Sequence, residues 1–394
     1  MRGLRPGHLG RARRQRRGAG LLRRAGEGRR AAGAVGQGRP ARPRLSVSGD
    51  LSAGAAAPPG WQVWRLGPAD GLHIEVCELG ARWMSCRVPL ADGTLRETLL
   101  GHVDAAAHAT EPGYLGAVVG RYANRLAGAA YTLDGQQHRL RPNEGPHQLH
   151  GGPEGFDRRR WRPVSSGPLH LRLQLLSPAG DQGHPGALRA EVEYRVDPTA
   201  AAVTVHFSAE VDAPCAASLA SHAYFNLDGD ARSVLGHRLQ VAASHLLPVD
   251  ATLIPTGVLA PVEGTPFDWR TARPIGAGLG QGEQQALAHG YDHCLALDAA
   301  AARGEVPAAT LLSTDGRLQM QLHTSYPGLQ VYSGNFLHAS RGRDGLPLAR
   351  HAGVALEPQF FPNAPNVPAW AGQGCIVRPG APLSRWMRVA FEAA

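Results

Sequence analysis

The feature that most limits what this chain can fold into is a run of three alternating segments between residues 169 and 211. LHLRLQLLS, ALRAEVEYRV and AAVTVHFSAEV follow one another with short breaks of Pro, Gly, Asp and Thr. Apolar and polar side chains exchange at every residue, which puts one face of an extended strand in a core and the other towards water. Three such segments joined by short turns predict an antiparallel meander.

The same period recurs before and after. WQVWRL, LHIEVCELG, ARWMSCRVPL and ETLLGHV read as short strands, with a turn at Asp92-Gly93. AAYTLDGQQHRL predicts a hairpin turning at Asp134-Gly135. HRLQVAAS, HLLPVD, TGVLAPVEGTPFDW, CLAL, AATLLST, LQMQLHTSY, GLQVYSGNFL and RWMRVAFEA continue the pattern. Residues 102–112 read as a loop or one helical turn, and GLGQGEQQALAHG as a loop or short helix. The count reaches at least fifteen strands with no convincing long helix. Fifty Gly and thirty-one Pro fit a chain with many turns. No fixed repeat argues for a propeller or solenoid. The expectation is an all-β fold in one domain over residues 59–394.

Residues 1–58 differ in kind. They hold fourteen Arg and two acids, Glu27 and Asp50, and so carry 14 − 2 = +12 of a net +9. The rest therefore carries 9 − 12 = −3. The basic balance belongs to this segment, and the domain itself shows no nucleic-acid signature. Poor in aromatic and β-branched residues, the segment reads as a disordered tail that cannot bury enough apolar surface to order itself. A translation start further along the chain is one reading. Binding of nucleic acid or a membrane surface by its Arg clusters is another. An export signal would need an apolar run that does not follow. No stretch reaches the ~18–20 apolar residues of a membrane helix. Five scattered cysteines without a C-x-x-C pair suggest neither a zinc site nor a disulfide framework, and free thiols fit the cytoplasm.

Several residues could carry chemistry. Glu357 ends the apolar run Gly353-Val354-Ala355-Leu356. A carboxylate there is costly to bury unless it is paired or has a task. It is either a base with a raised pKa or half of a structural salt bridge. His222 sits among small residues before Tyr224 and Phe225 and is either a core histidine or a proton donor. His150 precedes Gly151 and Gly152, which leave backbone room for a ligand. It lies in an irregular loop, Asn143 to Gly155, of the kind that often bears function. Asn124-Arg125 and Asp292 complete the set. His150, His222 and His293 could be read as a metal set, but their spacing offers no ligand pattern. No GxGxxG, phosphate loop or G-x-S-x-G is present. Arg, Asn, Asp and His with aromatic neighbours suit a neutral polyhydroxylated ligand.

In the order of the chain, these residues resemble the galactose mutarotase (aldose 1-epimerase) family. The matching blocks are Gly120-Arg121-Tyr122-Ala123-Asn124-Arg125, Leu149-His150-Gly151-Gly152 with Gly155-Phe156-Asp157 and Trp161, and Ser221-His222-Ala223-Tyr224-Phe225-Asn226-Leu227. They continue with Tyr291-Asp292-His293, Gly328 to Asn335, Leu356-Glu357-Pro358-Gln359 and Pro362 to Asn366. The resemblance covers about Trp61 onwards. It implies a single large antiparallel β-sandwich with a sugar cleft on one side. It also implies interconversion of α and β anomers of free aldohexoses such as galactose and glucose, with no metal or organic cofactor. A monomer and a homodimer both fit the sequence. The resemblance implies Glu357 as general base and His222 as general acid. Asn124, Arg125, His150, Asp292 and Gln330 would bind the sugar. Three departures, Asn363, Ser221 and Cys294, bear on sugar preference. A non-catalytic sugar-binding module and an epimerase of phosphorylated hexose on the same scaffold are the alternatives. The second would call on Arg158-Arg159-Arg160.

Overall fold

The structure, a computed structural model, describes residues 60–110 and 113–393. The expected tail over residues 1–58 lies outside the described residues.

Two antiparallel sheets dominate. The larger has nine strands, in the spatial order Arg162–Gly167, His170–Ser177, Leu188–Asp197, Ala202–Val211, Leu383–Ala393, Leu318–Thr324, Ala309–Leu312, Arg238–Val241 and Arg273–Pro274. The alternation read from the sequence is carried through. Ala190, Val192 and Tyr194 point inward from Leu188–Asp197, while Arg189, Glu191 and Glu193 between them are partly exposed. That period fixes the register, because a slip by one residue would turn every apolar side chain outward.

The second sheet has six strands: β1 (Tyr224–Phe225), β2 (His245–Leu246), β3 (Ala260–Pro261), β4 (Asp292–Ala296), β5 (Gly328–Tyr332) and β6 (Val354–Gln359). Their spatial order is β1-β6-β5-β4-β2-β3. One apolar core joins the two sheets, with Val192, Val205 and Leu322 from the larger and Leu329, Val331, Val354 and Leu356 from the smaller. Tyr326 ties the layers through its ring contacts with Phe207 and Phe360. The fold is the expected all-β sandwich.

β6 is buried along its whole length. Val354 and Leu356 enter the shared core. Ala355 and Glu357 alternate with them and so face the opposite way. On β5, Gln330 and Tyr332 alternate in the same manner with Leu329 and Val331. Gln330 stands opposite Glu357 in the register, and Asp292 opposite Tyr332. The smaller sheet thus collects polar side chains on the face turned away from the core.

The Asp134-Gly135 hairpin forms, with positive φ at both turn residues. The longest α-helix among the described residues is Gly282–Ala288, within the segment read as loop or short helix. Two expectations change. ETLLGHV is not one strand: Leu95–Glu97 is extended, then Thr98 N–H donates to Cys86 and Leu100 N–H to Tyr224. The chain there passes from a separate four-stranded sheet, where Leu95–Glu97 pairs with Arg82–Pro89, to the six-stranded one, so its apolar run is divided between two partners. In TGVLAPVEGTPFDW only Ala260–Pro261 pairs, and Thr265 folds the rest into turns by donating to Val262.

Candidate active site

Arg125–Leu126 pairs antiparallel with Gln148–Leu149, and Arg125 stands opposite Leu149. This small ladder brings the two ends of the hairpin region together. His150 N–H donates to the Asn124 carbonyl at 3.1 Å, and Asn124 N–H donates to His150 Nδ1 at 3.1 Å. Because Nδ1 accepts, the proton of the neutral ring is on Nε2. Burial, with His222 and Arg125 nearby, holds the pKa of His150 well below the usual histidine value. His150 is therefore a neutral donor.

The glycines after His150 do a different job from the one expected. Gly151 has φ +91, and a Cβ there would meet the Gly120 carbonyl oxygen at 1.9 Å. A Cβ on Gly152 would approach Gln182 and Gln148. The room they leave is filled by the protein's own chain.

His222 is held by a reciprocal pair of backbone bonds: its N–H donates to Ala117, and Gly116 N–H donates to its carbonyl. Tyr114 in the adjoining turn lies over both histidines, with ring centroids 5.6 Å from His222 and 4.8 Å from His150. His222 Nε2 is 3.6 Å from Glu357 Oε1. Glu357 Oε2 and His222 Nδ1 are buried without a protein partner.

These groups line a cavity of about 290 Å³ together with Asn124, Arg125, Glu144, Asp292, Tyr224, Tyr332 and Phe336. Six of the seven residues singled out from the sequence thus come to one place. The seventh, Gln330, stands behind the wall. Its Nε2 donates to Asp292 Oδ1 at 2.7 Å, and it touches the cavity only through Asp292.

The site is electrostatically tense. Burial raises the pKa of Glu357 well above the usual carboxylate value; Asp292 adds to the rise and Arg125 opposes it. Burial pushes His222 down to about 4. Burial also raises Asp292, while Arg125 and the Gln330 donor pull it back. Arg125 donates from Nε and Nη2 to the two oxygens of Glu144 at 2.6 and 2.9 Å, and Nη1 lies 3.7 Å from Asp292 Oδ2. Burial disfavours the charge on Arg125, but the two carboxylates outweigh it and its pKa stays above the ordinary value.

Sequence reasoning missed Glu144, Tyr114, Tyr224 and Tyr332. A Glu in a Gly- and Pro-containing loop reads as solvated, and no periodicity marks it. The three departures do not line the cavity. Asn363 accepts from Ala127 N–H at 3.0 Å, and its own N–H donates to the Arg125 carbonyl at 2.9 Å. It fixes the backbone that carries Arg125. Cys294 and Ser221 are buried in strands.

Arg158, Arg159 and Arg160 pair with Asp157, Asp181 and Glu78 and do not reach the cavity. Among the described residues, no group of three or more His, Cys, Asp or Glu could hold a metal ion. His293, third in the discounted metal set, packs on Phe267 with ring centroids 4.6 Å apart. No helix among the described residues is long and apolar enough to cross a membrane.

Comparison with known proteins agrees with this geometry. The family model for aldose 1-epimerase matches residues 62–390. The aldose 1-epimerase of Escherichia coli K12 is 42% identical over 323 residues, 82% of this chain and 93% of that protein. The galactose mutarotase of Homo sapiens is 33% identical over 353 residues, 89% of this chain and 98% of that protein. Among solved structures, an aldose epimerase homologue from C. elegans superposes with a TM-score of 0.78 at 27% identity, covering 85% of this chain and 100% of that one. A galactose 1-epimerase from Lactobacillus acidophilus gives 0.72 at 28%, covering 84% and 94%. A sandwich with a carboxyl and an imidazole at the floor of a polar cavity, and family agreement over most of its length, leave one assignment: the chain belongs to the aldose 1-epimerase family.

Proposed function

We propose that the chain interconverts the α and β anomers of free aldohexoses, galactose and glucose among them, with Glu357 as general base and His222 as general acid. The observation that carries the assignment of roles is the 3.6 Å approach of His222 Nε2 to Glu357 Oε1 at a buried cavity floor. The two oxygens that must exchange protons, the C1 hydroxyl and the ring oxygen, share the anomeric carbon. An acid and a base serving them must stand close together, as these do.

Two protons move, and the Glu357–His222 pair holds one before and after. Glu357 accepts the proton of the C1 hydroxyl as the C1 carbonyl forms. The bond from C1 to the ring oxygen breaks, and that oxygen takes the proton of His222. Rotation about the C1–C2 bond turns the other carbonyl face towards the hydroxyl. Closure then runs the transfers in reverse. His150, a neutral Nε2–H donor, suits the ring-oxygen side. Asn124, Arg125 and Asp292 bind hydroxyls, and Gln330 acts through Asp292. The five cysteines are free and buried, which supports a reducing compartment such as the cytoplasm.

The test is polarimetry. Fresh α-glucose and α-galactose should equilibrate faster with the purified protein than in buffer alone. An unchanged rate at neutral pH would sink the reading.

A pH profile follows from the pair. At rest the buried cavity favours both neutral forms, so the single proton sits on Glu357. The reactive form, with His222 charged and Glu357 ionised, holds the same number of protons. A second proton blocks it below about pH 4, where His222 charges while Glu357 is still protonated. Loss of the single proton blocks it on the alkaline side, through a Glu357 pKa raised by burial. After subtraction of the spontaneous rate, kcat/KM should be bell-shaped, with its alkaline limb well above the ordinary carboxylate range. An alkaline limb at an ordinary Glu value would contradict it.

A further inference from the structure

Among the described residues, Arg125 is the only Arg or Lys that lines the cavity. A guanidinium grips a carboxylate or phosphate best through two parallel N–H bonds from one edge. In this chain the Nε–Nη2 edge of Arg125 is filled by Glu144, at 2.6 and 2.9 Å. Its Nη1 faces Asp292 Oδ2 at 3.7 Å. Glu357 supplies a third carboxyl to the same cavity. Among the described residues an anionic sugar would therefore meet three carboxyl groups and one guanidinium whose gripping edge is taken. A neutral sugar needs only single hydrogen bonds, which the remaining N–H groups can give.

Glu144 is not a loose side chain that happens to lie near Arg125. Its backbone exchanges two bonds with His147, Glu144 N–H to His147 O at 3.2 Å and His147 N–H to Glu144 O at 2.9 Å. Asn143 beside it clamps Leu149 in both directions, donating from Nδ2 at 3.0 Å and accepting at Oδ1 at 2.7 Å. Leu149 in turn is the ladder partner of Arg125. The loop, the carboxylate and the arginine form one hydrogen-bonded unit, and Glu144 is held where the cavity opens, its side chain 38% exposed.

We propose that Glu144 is a specificity-determining residue that restricts the cavity to neutral aldoses and excludes sugars bearing a carboxylate or phosphate. The inference rests on the reading of the cavity as an aldose site. If Glu144 only oriented Arg125, its loss would weaken every sugar alike. If it excludes anions, its loss changes the ratio between charged and neutral sugars.

The experiment measures kcat/KM for glucose and for glucuronate, at neutral pH and low salt, in the wild type, Glu144→Gln and Glu144→Asp. The wild type should prefer glucose strongly. In Glu144→Gln the glucuronate-to-glucose ratio should rise by about tenfold, while Glu144→Asp, which keeps the charge, should stay near the wild-type ratio. Equal losses on both sugars in Glu144→Gln, or a wild type that accepts glucuronate as well as glucose, would overturn the proposal. Should the wild type accelerate neither sugar, the aldose reading itself has failed. The same ratio is then read from calorimetric binding of the two sugars to the three proteins, and an unchanged ratio there overturns the exclusion role independently.

Discussion

Glu357→Gln should lower kcat for glucose and galactose by about 10²–10⁴-fold, the range typical of a lost general base, while the protein stays folded. The amide keeps the shape of the side chain but cannot take the anomeric proton. Its neighbours bear on the second half of the expectation. Glu357 is buried, one of its oxygens has no partner, and burial opposes its charged form. Such a group weakens the fold it sits in, and functional residues commonly do so. The melting temperature of Glu357→Gln is therefore expected at or above that of the wild type. A variant with wild-type kcat would remove Glu357 from the reaction. A variant that fails to melt cooperatively would instead show that the carboxyl is part of the scaffold.

His222→Asn should cost a similar factor, about 10²–10⁴ in kcat, and should also remove the acid limb of the pH profile near 4. His150 cannot stand in. Its Nδ1 accepts from Asn124 N–H, and it is neutral for the same reason that His222 is at rest, namely burial. Because the acid and the base act in the same ring-opening step, their losses should not add. The double variant, Glu357→Gln with His222→Asn, should be nearly as active as the worse single variant. Losses that multiply in the double variant would mean that the two residues act in separate steps, and the account of one joint step would fall.

How much of this was legible depends on where each signal lies. The strands between residues 169 and 211 show themselves by alternation, since each buries one face against the core. β6 shows only an apolar run, because it is buried on both faces, and Glu357 stands out there as the charge that does not belong. Arg125–Leu126 and Gln148–Leu149 are too short to have a period. Their pairing is a tertiary fact, and it makes the site by joining Asn124 to His150. Glu144 carries no mark because its importance comes wholly from what it touches. Gln330 came with the family resemblance, and its place behind Asp292 required the geometry of two neighbouring strands. Gly151 and Gly152 show in the sequence as positions without side chains, but the sequence does not say which neighbour fills the space.

The strand Leu383–Ala393 has a further consequence. It lies inside the nine-stranded sheet, between Ala202–Val211 and Leu318–Thr324, yet it follows both in sequence. Until it has left the ribosome, the strands on either side of it lack the partner that joins them. In a growing chain the edge of Ala202–Val211 therefore waits unpaired while residues 212–382 are made, and that of Leu318–Thr324 while residues 325–382 are made. Open edges of that kind are the usual starting point for aggregation, and pairings so distant in sequence form slowly. The sheet can close only after Leu383–Ala393 emerges, so the interval in which these two edges stay open is fixed by strand order and not by the stability of the finished fold.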